Sequence, residues 1–167
     1  THLHSDGEYA EKLAFINPGS HGGYHLGTDR FGYEDLEFGG VFLTPKMWEE
    51  QDLFPNMEGQ AVFKIAVQKF PEVIMEALEA NGYGISDLDM LIPHQANLRI
   101  SQFVHKRLQL REDQVFNNIQ KYGNTTAASV PIALCEAWQE GKVKKGDLVC
   151  LAAFGSGFTW GSALLRW

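Results

Sequence analysis

The sequence predicts a layered α/β fold. Short apolar runs bounded by turn residues alternate with segments of helical period, and the last two apolar runs are joined only by a glycine-rich turn. A chain of 167 residues with 44% hydrophobic content is long enough to bury a core. "KLAFI" gives an early apolar segment. From Asn17 to Asn56 the sequence is dense in glycine and interleaved with aromatics, too apolar for a flexible linker, and reads as a packed lid or excursion.

Helical period begins at Gly59. In "GQAVFKIAVQKFPEVIMEALEANG", Val62, Ile65, Ala66, Ile74, Ala77 and Leu78 share a face, and Gly82 supplies the stop. Pro71 has no N–H to donate, so a kink or a split into two helices is expected there. "LDMLIP", residues 88–93, is short and apolar and predicts a buried strand. "NLRISQFVHKRLQL" returns to helical spacing, with Leu98, Phe103, Val104 and Leu108 expected on the inner face. "QVFNNI" is a second candidate strand. "NTTAASVPIALCEAWQEGKV" opens on capping residues and ends at Gly141; the small residues of "TTAAS" are expected to let helix and sheet approach closely. "DLVCLAAFG" and "TWGSALLRW" form a final pair of strands around "GSGF". The chain carries no internal repeat and no low-complexity tract.

Composition narrows the function. The net charge is −7, with 21 acidic against 14 basic residues and no basic block, which disfavours nucleic acid and membrane surfaces as general partners. Two cysteines without a CxxC spacing fit a reducing, cytoplasmic setting. The opening at Thr1 reads as mid-protein sequence, which predicts a piece of a longer protein.

Chemistry in an open α/β sheet collects at the carboxyl ends of strands. Three segments share that position: "PHQAN" after "DMLI", "YGNTT" after "VFNNI" and "FGSGF" after "LVCLAA". His94 brings a ring N–H, Asn124 an amide donor, and the glycines around Ser156 expose backbone N–H groups, so together they suit a developing oxyanion. Each has a structural alternative: His94 as a strand-end residue, Asn124 as a helix cap and the glycines as a tight hairpin. Cys135 sits inside a helical run and Cys150 inside a strand, so neither suits a thiol nucleophile. The His2/His4 and His21/His25 pairs lack completing ligands, and no metal site is predicted. Arg99, with Lys106 and Arg107 further along, makes a local basic spot on an acidic chain.

"LIPHQANLRI", "YGNTTAASVPIAL" and "AFGSGFTWGSALLRW", in that order, resemble the C-terminal half of the β-ketoacyl-acyl-carrier-protein synthase III family. "THLHSDGEY" and "GQAVFKIAV" extend the resemblance over essentially the whole chain, and the stretch from Gly19 to Asn56 looks longer than usual for the family. The resemblance implies the C-terminal half of a thiolase-like fold, layered α/β with a mixed five-stranded sheet. Residues 1–57 would then be the end of the N-terminal half plus an extended lid-like loop, and 58–167 the C-terminal half carrying the site.

It further implies a decarboxylative Claisen condensation of an acyl-CoA primer with malonyl carrier protein, with His94 and Asn124 matching the family histidine and asparagine. The nucleophilic cysteine would belong to the N-terminal half, so this piece alone would be inactive. Ser156 stands where the family often has glycine or alanine; its backbone N–H would serve the oxyanion. Phe63, Ala96 and Asn97 would line the pantetheine tunnel, with Arg99 at its mouth facing coenzyme A phosphates or the carrier protein. Coenzyme A thioester enters as substrate, and no cofactor is implied. Expected partners are the N-terminal half and a second copy in a homodimer. Two alternatives remain open: a related condensing enzyme or acyltransferase of secondary metabolism, and a non-catalytic half-domain that binds acyl carriers.

Overall fold

A computed structural model describes residues 1–14, 48–49 and 54–167. The lid expected over 17–56 therefore lies largely outside the described residues. Strand β1 (His2–Ser5) leads through a 3-10 turn to β2 (Leu13–Ala14), which pairs with β3 (Asn56–Met57) in a small two-stranded sheet. Helix α1 (Gly59–Ala80), strand β4 (Met90–Pro93), helix α2 (Leu98–Arg107), the one-turn helix α3 (Ile119–Tyr122) and helix α4 (Ser129–Gln139) follow. Strands β5 (Leu148–Gly155) and β6 (Thr159–Arg166) close the chain as a hairpin.

The main sheet has the order β1-β6-β5-β4, with β4 parallel to β5 and the other pairs antiparallel. Beyond β4 the expected fifth strand, "QVFNNI", is reduced to a single parallel bridge between Leu91 and Val115. The cause is local. Gln95 accepts hydrogen bonds from the N–H groups of Asn118 and Ile119, which turns the backbone out of the ladder and into α3. Strand β1, before the division expected at residue 57, is hydrogen-bonded to β6 in the same sheet as the elements of 58–167.

Alternate residues of the central strands serve two cores. Leu91, Cys150 and Ala152 face α1 and α2, packing with Val62, Ala66, Phe70, Ile74, Leu78 and Val104. Met90, Ile92 and Val149 pack with Ala133 and Ala137 of α4. Helices on both faces of parallel strands explain why "DMLIP" and "LVCLAA" are apolar without alternation. Close approach to the sheet is made by Ala133 and Ala137, both fully buried, whereas Thr126, Ala127 and Ala128 are exposed and only Ser129 of the expected "TTAAS" contact is buried.

Helix α1 is not split at Pro71: it runs 22 residues with Phe70, Pro71, Val73 and Ile74 all buried, so packing on both sides of the proline holds one helix across the lost N–H. It ends at Gly82, whose φ of +73° only glycine adopts without strain. In α2 the inward stripe is Ile100, Val104 and Leu108. Leu98 and Phe103 remain 39% and 45% exposed, about a third of a turn off that stripe at roughly 100° per residue, against the expected inner face.

Candidate active site

Strand β4 ends on Pro93, and the next N–H, of His94, donates to the carbonyl of Ala152 at 2.7 Å, carrying the ladder one residue further. Strand β5 runs on to Gly155, so the turn bearing Ser156 overhangs the end of β4. The side chain of His94 is then held from α4, its Nδ1 lying 2.5 Å from the hydroxyl of Ser129, the first residue of that helix. Ser129 is 2% exposed, and its oxygen already accepts from the Gln95 N–H at 3.2 Å. Where that hydroxyl donates its own proton to Nδ1, the ring proton stands on Nε2. Burial also holds the His94 imidazole below its ordinary pKa, favouring the neutral ring.

Gln95 fixes the loop. It is 3% exposed; its amide NH2 donates to the carbonyls of Pro93 (2.7 Å) and Phe116 (3.3 Å), and its oxygen accepts from Asn118 N–H (3.1 Å) and Ile119 N–H (3.2 Å). One side chain thus ties the end of β4 to the start of α3.

Asn124 follows α3 through Gly123, which turns the chain at a φ of +68°. The Asn124 side-chain oxygen accepts from Thr126 N–H at 2.9 Å, an Asx-type turn that fixes the amide and leaves its NH2 as the donor end. The same bond, at the start of the 3-10 turn Thr126–Ala128 that runs into α4, is the contact the capping alternative expects. Thr126 holds a φ of +52°, an uncommon and strained value for a β-branched residue, so the loop after Asn124 is maintained against its own preference.

Ser156 is exposed, and its carbonyl accepts from the Thr159 hydroxyl at 2.9 Å. Gly157 beside it has a φ of +132°, and a Cβ there would lie 2.8 Å from Thr159 Cγ2, so glycine is required. Ala96 is half-buried and Asn97 exposed; the Asn97 oxygen caps α2 by accepting from Arg99 N–H at 2.9 Å. Arg99, Lys106 and Arg107 are exposed. Phe63 packs edge-on against Phe103, in the second turn of the helix that Asn97 opens. Of the expected site residues, His94, Ala96, Asn97 and Arg99 stand on one loop and helix start; Asn124 precedes α4, whose Ser129 contacts His94, and Ser156 follows β5, the strand paired with β4.

His2 and His4 meet one carboxylate, Glu76, at 3.1 and 2.6 Å, and no group of three metal-ligating side chains occurs among the described residues. His21 and His25 lie outside them. Cys135 is exposed on α4, while burial pushes the Cys150 thiol up to about 12. No described helix is long and apolar enough to cross a membrane.

Sequence reasoning missed Ser129. A serine heading an apolar run was read only as a small residue, although a hydroxyl at a buried helix start was itself a signal of a polar partner.

Residues 78–167 match the family model "3-Oxoacyl-[acyl-carrier-protein (ACP)] synthase III C terminal". The chain is 43% identical to β-ketoacyl-acyl-carrier-protein synthase III of Clostridioides difficile strain 630, over 99% of this chain and 52% of that protein. It is 47% identical to the protein of the same name from Xanthomonas euvesicatoria pv. vesicatoria strain 85-10, over 100% of this chain and 45% of that one. Among solved structures, 3-oxoacyl-acyl-carrier-protein synthase III from Aquifex aeolicus VF5 superposes with a TM-score of 0.77 at 37% identity, covering 99% of this chain and 43% of that one. The chain spans about half the length of these relatives. With a mixed sheet between helical layers and a family match over its C-terminal 90 residues, the chain belongs to the β-ketoacyl-acyl-carrier-protein synthase III family and has the fold of its thiolase-like C-terminal half.

Proposed function

We propose that this chain supplies the decarboxylation half of a synthase III active site, acting with an N-terminal half that carries the cysteine. An acyl group moves from coenzyme A to that cysteine; malonyl carrier protein then loses CO2, and the resulting enolate attacks the acyl thioester, releasing the thiol and a β-ketoacyl carrier protein. Loss of CO2 places negative charge on the malonyl thioester oxygen. His94, through Nε2–H, and Asn124, through its NH2, donate to that oxygen. The Ser156 backbone N–H serves the oxyanion of acyl transfer.

The observation that supports this reading is the contact between Ser129 and His94 Nδ1 on a ring that burial keeps neutral: with the hydroxyl donating to Nδ1, the other nitrogen carries the N–H. No general base is needed for decarboxylation, which suits an imidazole that burial keeps neutral. Ala96, Asn97 and Phe63 line the pantetheine path, and Arg99, with Lys106 and Arg107, meets coenzyme A phosphates or an acidic carrier protein. The whole protein acts as a cytoplasmic homodimer. The test is to join this chain to its N-terminal half and supply acetyl-CoA with malonyl carrier protein: the reading expects CO2 release and a β-ketoacyl carrier protein two carbons longer than the primer. Carrier-protein binding without either product would overturn it in favour of a non-catalytic half-domain.

A further inference from the structure

Helix α3 is four residues long, too short to persist without outside support, yet Asn124 stands just beyond its end. Its start is held by Gln95, as described above. Its other support is a carboxylate two turns into α4. Glu136 accepts from the Tyr122 hydroxyl at 2.6 Å, from Lys121 Nζ at 3.1 Å and from the Asn118 amide at 2.7 Å. Lys121 also reaches Glu140 at 3.6 Å. These three donors hold the Glu136 carboxyl below its ordinary pKa, and the carboxylate in turn holds the Tyr122 phenol above its own.

We infer that Glu136 is a positioning residue for Asn124. The inference rests on the reading of Asn124 as a donor to the enolate. Residues 123–128 form the whole connection between α3 and α4. With Tyr122 bonded to Glu136, that connection is closed into a loop whose two ends are fixed to each other. Only then is the Asx turn at Asn124 and Thr126 registered against Ser129 and hence against His94. The strained φ of Thr126 fits this account, since such a conformation persists where its surroundings over-determine it. The carboxylate's hydrogen-bond partners, Asn118, Lys121 and Tyr122, are not among the expected site residues, so its effect passes through the backbone of α3.

The test has two readouts. The first is amide hydrogen exchange of Thr126, whose N–H is bonded to the Asn124 oxygen, in this chain. Glu136→Ala should speed it by about tenfold or more while leaving the exchange of Leu91 in β4 unchanged, the pattern of a local opening. The second is the rate of malonyl decarboxylation relative to acyl transfer in the whole enzyme. Glu136→Ala should lower decarboxylation by about 10- to 100-fold, the usual consequence of a displacement near 1 Å, with acyl transfer within about twofold of the unaltered enzyme. Glu136→Gln keeps an acceptor for Tyr122 and Asn118 and should restore most of both readouts. If Glu136→Ala does not fold, Tyr122→Phe removes one donor alone and should move Thr126 exchange in the same direction. Unchanged Thr126 exchange in the folded variants overturns the inference. Faster exchange with unchanged decarboxylation overturns instead the role of Asn124 on which it rests.

Discussion

Replacing Gln95 by leucine nearly conserves side-chain volume and deletes four hydrogen bonds, two to carbonyls and two from N–H groups. The bonds to Pro93 O and from Asn118 N–H are buried, and the other two are partly so. A buried polar group stranded in this way costs about 1–3 kcal/mol, so the two buried ones set a range of about 2–6 kcal/mol. Water reaches the partly buried pair and relieves some of the rest, which puts the expected loss near 3 kcal/mol. With a urea slope of about 2 kcal/mol/M, the unfolding midpoint should fall by roughly 1.5 M with the slope unchanged. Urea titration followed by tryptophan fluorescence reads this directly. A midpoint within about 0.3 M of the parent, an energy near 0.6 kcal/mol, would refute the claim that Gln95 fastens α3 to β4.

Ser129→Ala should shift the His94 tautomer, raising the Nδ1–H population in long-range nitrogen-proton correlation spectra; an unaltered tautomer would contradict the role given to the hydroxyl. His94 itself should titrate below 6.5, because burial disfavours its charged form. Its folded pKa is depressed, so as pH falls below 6.5 the unfolded chain takes up a proton that the folded chain refuses, and this site's contribution to stability declines with pH. A midpoint at or above 6.5 by NMR would remove that linkage. Native protein should react with thiol reagents at Cys135 and spare Cys150, whose thiol is pushed up to about 12, and labelling at both positions in the folded state would show that β5 is not packed as described. Leu78→Ala, at a fully buried position on α1, should cost about 2–5 kcal/mol, read as a loss in the same urea titration.

Much of the architecture was legible because it follows from periodicity and punctuation. The hairpin of β5 and β6, the buried β4, and helices ending at Gly82 and near Gly141 all follow from apolar runs and glycine stops. Three features were not legible, each because a tertiary contact overrode a local preference. Val115 reads as a strand, but the capture of Asn118 and Ile119 by Gln95 ends the ladder after one bridge. Pro71 reads as a break, but burial of the residues around it keeps α1 whole. The apolar residues of α2 fit more than one face, and only the sheet decides that Ile100 points inward while Phe103 meets Phe63.

The site divides in the same way. His94 and Asn124, the donors of the proposed function, stand out in the sequence as polar side chains at strand and helix ends. Ser129, which contacts His94, and Glu136, inferred to position Asn124, sit 35 and 12 positions away in sequence, and no spacing rule links them to their partners.

The measurement that bears most directly on the proposed function is malonyl-thioester decarboxylation by the whole enzyme, compared for His94→Ala, Asn124→Ala and the unaltered protein, with acyl transfer to the cysteine followed in parallel. Loss of either donor should slow decarboxylation by about 100-fold or more while acyl transfer persists. Decarboxylation unchanged in both variants would contradict the account and leave "PHQAN" a structural loop.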